Sequence, residues 1–130
     1  MKILIIGTGL MGPAAAHIAL GDPQVTQVGV FDMNQAQLDT CLQKLEGKPG
    51  ASKLKAIAQD LRDEGASAEI IRGYDAVVAA LPSAASVLAI RAAARASRPL
   101  IDLTWPPAEQ LPEVRKTLDA SGTLYIPGAP

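Results

Sequence analysis

Residues 2–12 read KILIIGTGLMG, an apolar run that ends in glycines at positions 7, 9 and 12. A short apolar run bounded by glycine is typical of a buried strand, and the alanine-rich residues 14–20 are compatible with a helix. The spacing G-x-G-x-x-G between a strand and a helix is typical of a turn that binds the pyrophosphate of a dinucleotide. The stretch therefore predicts a strand, a tight turn and a helix, with a nucleotide at the turn.

Each glycine has a separate role in such a turn. Gly7 allows the chain to turn sharply, and Gly9 lets a pyrophosphate approach the backbone because it has no Cβ. Gly12 lets the helix lie close against the first strand. The N–H groups at the helix start then face the phosphates, together with the positive end of the helix dipole. The predicted cofactor-binding turn comprises Gly7, Thr8, Gly9 and Gly12.

A carboxylate lies where the ribose of a dinucleotide requires one. The apolar run 28–31 ends in Asp32, which follows Gly12 by 20 residues, and its neighbour Met33 is included in the predicted site. Hydrogen bonds from ribose hydroxyls to a carboxylate are worth roughly 1.5–3 kcal/mol each. Since a carboxylate also repels a 2′-phosphate, and no basic residue lies between Asp32 and Lys44, we predict NAD in preference to NADP. The alternative is that Asp32 caps a helix starting near Asn34.

Composition and charge exclude several other classes of protein. The 130 residues are 48% hydrophobic but only 3% aromatic, with a net charge of −1, which disfavours a nucleic-acid surface. The single cysteine, Cys41, excludes an intrachain disulfide and a cysteine-based zinc site, and no metal site is predicted. No apolar stretch approaches the length of a membrane span, and the chain begins directly in a strand. We expect a cytoplasmic protein with no membrane partner.

Apolar strands and amphipathic helices alternate along the whole chain. This alternation predicts an α/β fold, the doubly wound parallel sheet called the Rossmann fold, with strand order 3-2-1-4-5-6 and helices on both faces. All 130 residues fall into one dinucleotide-binding domain. Strands are predicted at 3–6, 27–32, 54–60, 75–82, 99–104 and 122–127. Helices are predicted at about 10–20, 62–71, 84–97 and 108–120, with a further helix after strand 2 that carries Leu38, Cys41, Leu42 and Leu45 at helical spacing.

The predicted topology brings the ends of strands 3 and 4 to the same crevice as the glycine turn. Strand 4 ends at Ala80, Leu81 and Pro82, which we place under the cofactor. Strand 3 ends at Asp60 and Leu61, which either contact the adenine or cap the next helix; both interpretations remain open.

Other single residues carry weaker expectations. Pro13 predicts a loosened first helical turn, because proline is tolerated only at a helix start. Ser83 is expected to cap the fourth helix, Cys41 to be a small core residue and His17 to have no catalytic role. Asp102 lies toward the carboxyl end of strand 5, near the nicotinamide, and we expect it to have a structural role.

With these motifs, the sequence is similar to the amino-terminal nucleotide-binding domain of the saccharopine dehydrogenase and lysine 6-dehydrogenase family. The resemblance rests on residues 2–12, 31–32, 74–82, 100–104 and 126–129. It implies cofactor contacts at Gly7, Gly9, Leu10, Met11 and Asp32, with Leu81 and Pro82 near the nicotinamide. The sequence departs from the family at Pro13 and at residues 105–107.

The resemblance implies an NAD(P)-dependent dehydrogenase that transfers hydride at a carbon–nitrogen centre of an amino acid or imine. Family members usually continue into a second domain that shapes the substrate pocket, and that domain is absent from these residues. An amino-acid-type substrate is therefore expected only with a second domain. A missing domain would expose apolar surface around strand 6 and the last helix, 108–120, through which the chain could form a homo-oligomer.

No general acid–base pair is apparent, so the catalytic residues are unknown and this chain alone is expected to bind cofactor without turnover. One alternative is a stand-alone NAD-sensing or protein-interaction module; a carboxyl end at Gly-Ala-Pro, directly after a strand, disfavours it. Another alternative is a related fold that no longer binds nucleotide, which only Pro13 favours.

Overall fold

The computed structural model describes residues 1–9 and 11–128 of the chain. These residues form six strands, namely β1 Lys2–Ile6, β2 Gln27–Asp32, β3 Leu54–Ala58, β4 Ala76–Ala79, β5 Leu100–Asp102 and β6 Tyr125–Ile126. They also form α1 Gly12–Leu20, α2 Gln35–Leu45, α3 Glu64–Arg72, α4 Ser86–Ala96 and α5 Leu111–Ser121, with 3₁₀ turns at Ala51–Lys53, Ser83–Ala85 and Ala108–Gln110. Within the described ranges, no helix combines the length and the apolarity needed to cross a membrane.

All six strands are parallel and lie in the order β3-β2-β1-β4-β5-β6, which confirms the predicted sheet. Strand β1 is central, because Ile5 is paired with Val30 of β2 on one side and with Val78 of β4 on the other. The strand order reverses between β1 and β4. In a sheet of this kind, a crevice opens at that point beyond the carboxyl ends of the strands.

The apolar core is divided between the two faces of the sheet. Leu4 and Ile6 pack into a cluster with residues of α3, α4 and α5. Ile5, which points to the opposite face because strand side chains alternate, packs with residues of α1 and α2. Cys41 is fully buried in that second cluster, which confirms that it is a core residue, and burial raises the pKa of its thiol.

One half of the sheet leaves apolar side chains exposed. In β5, Leu100 and Asp102 are buried, whereas Ile101 between them is 41% exposed. Ile126 lies beside Ile101 in register on β6 and is 47% exposed. The β5–β6 half of the sheet therefore has an uncovered pair of isoleucines.

Pro13 does not disturb the helix after the glycine turn. Helix α1 begins at Gly12 with Met11 as its N-cap, so Pro13 is its second residue. The N–H at that position has no acceptor within a helix, and a proline there removes no hydrogen bond. The Ala15 N–H donates to the Met11 carbonyl at 3.1 Å, so the first turn is closed and the expected loosening is wrong.

Ser83 also behaves differently from its prediction. Helix α4 begins only at Ser86, with Ala85 as its N-cap, after the 3₁₀ turn Ser83–Ala85. The Ser83 hydroxyl donates to the carbonyl of Trp105 instead of capping the helix. It thereby connects the loop after β4 to the segment after β5.

Replacement of Pro13 by alanine is expected to lower the free energy of unfolding by about 0.4–1 kcal/mol, because it gives the unfolded chain more freedom without adding a helical hydrogen bond. Urea denaturation measures this difference. Pro112 lies at the equivalent position of α5, and Pro112→Ala is expected to have an effect of similar size. An increase in stability for Pro13→Ala would show that the proline strains the turn.

Candidate cofactor-binding site

Two glycines of the turn have no room for a side chain. Gly7 has a positive φ of 95°, and a Cβ there would overlap the carbonyl oxygen of Ala80. A Cβ at Gly12 would overlap the carbonyl oxygen of Gly7. The start of α1 therefore lies directly against the end of β1, in the close packing predicted for Gly12.

Gly9 is in a different environment. Apart from its two chain neighbours, no described residue has an atom within 4 Å of the position that a Cβ would occupy at Gly9, so this part of the turn faces open space. The exposed Met11 lies at the rim of the same space. An open region beside the start of a helix suits the pyrophosphate of a dinucleotide. Leu10, another predicted contact, lies outside the described residues.

Asp32, at the end of β2, is hydrogen-bonded to Thr8 of the glycine turn. The carboxylate oxygen Oδ2 of Asp32 accepts hydrogen bonds from the Thr8 N–H at 3.0 Å and from the Thr8 hydroxyl at 2.8 Å. The other oxygen, Oδ1, accepts from the Asn34 N–H at 2.9 Å. Asp32 does not cap α2, because Asn34 is the N-cap and accepts from the Gln37 N–H. Both Thr8 donors are thus directed at Asp32 and not at the phosphate position.

A first cavity of about 320 Å³ lies beyond the ends of β1, β2 and β3. It brings together six of the predicted site residues: Gly7, Asp32, Met33, Asp60, Leu61 and Leu81. Its remaining lining is mostly apolar, with contributions from Phe31 and Leu88 among others. A largely apolar cavity with a few carboxylates at its edge suits an adenosine group.

Asp60 forms an ion pair at the mouth of the first cavity. Arg62 donates to both Asp60 oxygens, with distances of 2.8 Å from Nη2 and 3.1 Å from Nε. These hydrogen bonds hold the pKa of Asp60 below its ordinary value. The cap of α3 is Asp63, which accepts from the Ala66 N–H, so the interpretation of Asp60 as a helix cap is wrong.

Arg62 was not among the predicted site residues. The sequence contained a signal for it: Arg62 follows Asp60, the acid that ends the predicted strand 3, by two positions. Residues this close can lie in one turn and form an ion pair.

A second cavity of about 420 Å³ lies between the glycine turn and the ends of β4 and β5. Ala80, Leu81 and Pro82 line it beside Gly9 and Met11, so the end of β4 lies next to the turn as predicted. Leu103, Thr104 and Gln37 also line it and were not among the predicted contacts. Leu103 directly follows β5, a position from which it could have been inferred.

The two cavities adjoin each other. Gly7, Asp32 and Leu81 line both of them, and Gly9 faces the open space at the second cavity. Two adjoining compartments that meet at a glycine turn match the shape of two nucleotides joined by a pyrophosphate. The described residues therefore fit a dinucleotide cofactor.

Asp102 has the structural role expected for it. This carboxylate is only 1% exposed. Its Oδ1 accepts from the N–H and the hydroxyl of Thr104 at 3.0 and 3.1 Å, and its Oδ2 accepts from the Tyr125 hydroxyl at 2.8 Å. Burial and this hydrogen bond raise the pKa of Tyr125 well above its ordinary value. The network fixes β6 to the end of β5, so Thr104 is held in place at the second cavity.

Replacement of Tyr125 by phenylalanine is expected to lower the free energy of unfolding by about 1–3 kcal/mol, because a buried carboxylate then loses one of its donors. Urea denaturation at pH 7 measures the loss. Tyr74→Phe is a matched control, since the Tyr74 hydroxyl accepts from the half-exposed Gln27 amide, which water can satisfy. Equal losses in the two variants would show that Asp102 does not depend on Tyr125.

A parallel sheet with this strand order, a glycine turn after β1 and an acid at the end of β2 defines a Rossmann nucleotide-binding domain. Residues 3–122 match the family described as the saccharopine dehydrogenase NADP binding domain. The chain belongs to this family and is an NAD(P)-binding domain of the dehydrogenase type, as its sequence motifs predicted.

Solved structures of several dehydrogenases have a similar fold. Saccharopine dehydrogenase (L-Glu forming) from Saccharomyces cerevisiae superposes with a TM-score of 0.76 at 16% identity, over 95% of this chain and 26% of that one. A shikimate 5-dehydrogenase from Mycobacterium fortuitum gives 0.70 at 21% identity, over 98% and 44%. An oxidoreductase from Agrobacterium radiobacter, in complex with NAD⁺, L-tartaric acid and magnesium, gives 0.73 at 12% identity, over 96% and 34%. The chain thus spans between about a quarter and under half of these proteins.

Proposed function

We propose that this chain is the NAD-binding domain of an oxidoreductase that acts on the CH–NH group of an amino acid or imine. The observation that carries the proposal is the two-part crevice, in which the cavities meet at Gly7 and Asp32 beside the open space at Gly9. The saccharopine dehydrogenase family supports the substrate class.

The charges at the first cavity support a preference for NAD over NADP. Asp32 contributes a carboxylate, while Asp60 and Arg62 form a pair whose charges cancel. The charged side chains that line the cavity therefore sum to a negative charge, which disfavours the 2′-phosphate of NADP. The description of the family names NADP, so the preference is proposed for this chain in particular.

The cofactor supplies the chemistry in this proposal, because a nicotinamide accepts or donates hydride. The residues of this chain bind and orient it. The glycine turn leaves space for the pyrophosphate, Asp32 accepts from the ribose, and Leu81 and Pro82 line the cavity proposed for the nicotinamide. Asp102 is committed to Thr104 and Tyr125 and is not available as a general base.

We further propose that a different domain supplies the substrate pocket. Dehydrogenases with this fold are much longer than the present chain. The described residues should accordingly bind cofactor but show little or no lysine- or saccharopine-dependent formation of NADH. Rapid turnover by this chain alone would contradict that statement without affecting the proposed cofactor site.

Replacement of Gly9 by alanine is expected to weaken NADH binding at least about tenfold, because the new methyl group projects into the space proposed for the pyrophosphate. Its free energy of unfolding should be almost unchanged, since the added Cβ meets no atom within 4 Å in the described part of the chain beyond the two neighbours of Gly9. Isothermal titration calorimetry and urea denaturation measure the two quantities.

Gly12→Ala is the matched control for Gly9→Ala. Its Cβ would overlap the Gly7 carbonyl, so a stability loss of about 1–3 kcal/mol is expected from overpacking. Unimpaired NADH binding by the Gly9→Ala variant would contradict the proposed position of the pyrophosphate.

Asp32→Asn is expected to weaken NADH binding by about tenfold, because a charged acceptor becomes neutral. Binding of NADPH should be unchanged or tighter, because the repulsion of the 2′-phosphate is removed. Asp39→Asn makes the same charge change on the exposed side of α2 and should alter neither affinity. Tighter binding of NADPH than of NADH by the wild-type chain would contradict the preference for NAD.

A further inference from the structure

Thr8 lies in the glycine turn, and neither of its hydrogen-bond donors faces the proposed cofactor space. It is almost completely buried, and both its N–H and its hydroxyl donate to the same oxygen of Asp32, at 3.0 and 2.8 Å. We propose that Thr8 is a positioning residue that sets the selectivity between NAD and NADP through Asp32. The inference rests on the proposed function of the crevice as a cofactor site.

The hydrogen bonds of Asp32 leave a limited capacity for ligand. A carboxylate accepts about four hydrogen bonds, two at each oxygen. The two donors of Thr8 fill Oδ2, and the Asn34 N–H takes one position on Oδ1. Counting the donors among the described residues, one acceptor position remains, on Oδ1. Asp32 in this orientation can therefore accept a hydrogen bond from one ribose hydroxyl.

This arrangement makes the recognition of the ribose selective. The remaining position on Oδ1 needs a hydrogen-bond donor, which the 2′-hydroxyl of NAD provides. The 2′-phosphate of NADP has lost this hydroxyl and brings a negative charge close to the carboxylate. Without the Thr8 hydroxyl, Oδ2 keeps only the Thr8 N–H as a donor, and the carboxylate is held less firmly against rotation about its Cβ–Cγ bond. The oxygen presented to the ribose is then less strictly fixed.

The test measures the affinities of NADH and NADPH for the full chain by calorimetry. In Thr8→Val, which keeps the shape and the N–H but removes the hydroxyl, the Kd for NADH should rise by about threefold to tenfold. The Kd for NADPH should change by less than about twofold. Thr8→Ser retains the hydroxyl and should restore the wild-type ratio. Thr8→Ala removes the hydroxyl without adding a branched side chain, and serves if the valine variant does not fold.

A double-mutant cycle with Asp32→Asn separates positioning from direct contact. If Thr8 acts through Asp32, Thr8→Val should have no further effect on the ratio of the two affinities in the Asp32→Asn background. An equal loss of NADH and NADPH affinity in Thr8→Val would overturn the inference, because it would show that Thr8 contacts a part common to both cofactors. That result would leave the proposed cofactor site intact. Failure of the wild-type chain to bind either cofactor would overturn the proposed function and the inference with it.

Discussion

The close contact between the start of α1 and the end of β1 determines how the crevice is built. The backbone at Gly12 lies against the Gly7 carbonyl, and Gly7 in turn lies against the carbonyl of Ala80 at the end of β4. These two contacts fix the turn, the helix and the neighbouring strand relative to one another. Side chains are excluded at both points, whereas the proposed cofactor space lies beside Gly9, where a Cβ would meet no described residue beyond the two chain neighbours.

The fold could be predicted from the sequence because its main determinants are local. Apolar runs identify the strands, and the handedness and shortness of crossover connections restrict the order of parallel strands to a few possibilities. The expected role of Ser83 is wrong because the structure there depends on a contact between distant residues. Ser83 donates to the carbonyl of Trp105, 22 residues away, and no local pattern indicates that partner. Pro13 was expected to loosen the first turn of a helix that starts at residue 10. The helix starts at Gly12 instead, so Pro13 is its second residue, where a proline removes no hydrogen bond.

The candidate site was predictable in its outline but not in its hydrogen bonds. The glycine spacing and the position of Asp32 placed the crevice, and the end of β4 lies where the topology requires. The sequence could not show that Thr8 donates both of its hydrogen bonds to one oxygen of Asp32. That contact depends on the register between β1 and β2, which the sequence does not specify. The pair formed by Asp60 and Arg62 changes the charge of the cavity. It follows from residues two positions apart and could have been inferred.

The central position of β1 has a consequence for the order in which the protein assembles during synthesis. The bond between Thr8 and Asp32 closes a loop of 24 residues, whereas that between the Lys2 N–H and Asp75 closes one of 73. The longer closure costs about 1 kcal/mol more in chain entropy. Strand β4 begins only at Ala76. While residues 33–75 are being translated, the apolar strand Lys2–Ile6 therefore has one edge of unpaired N–H and carbonyl groups. An unpaired strand edge of this kind promotes the aggregation of nascent chains.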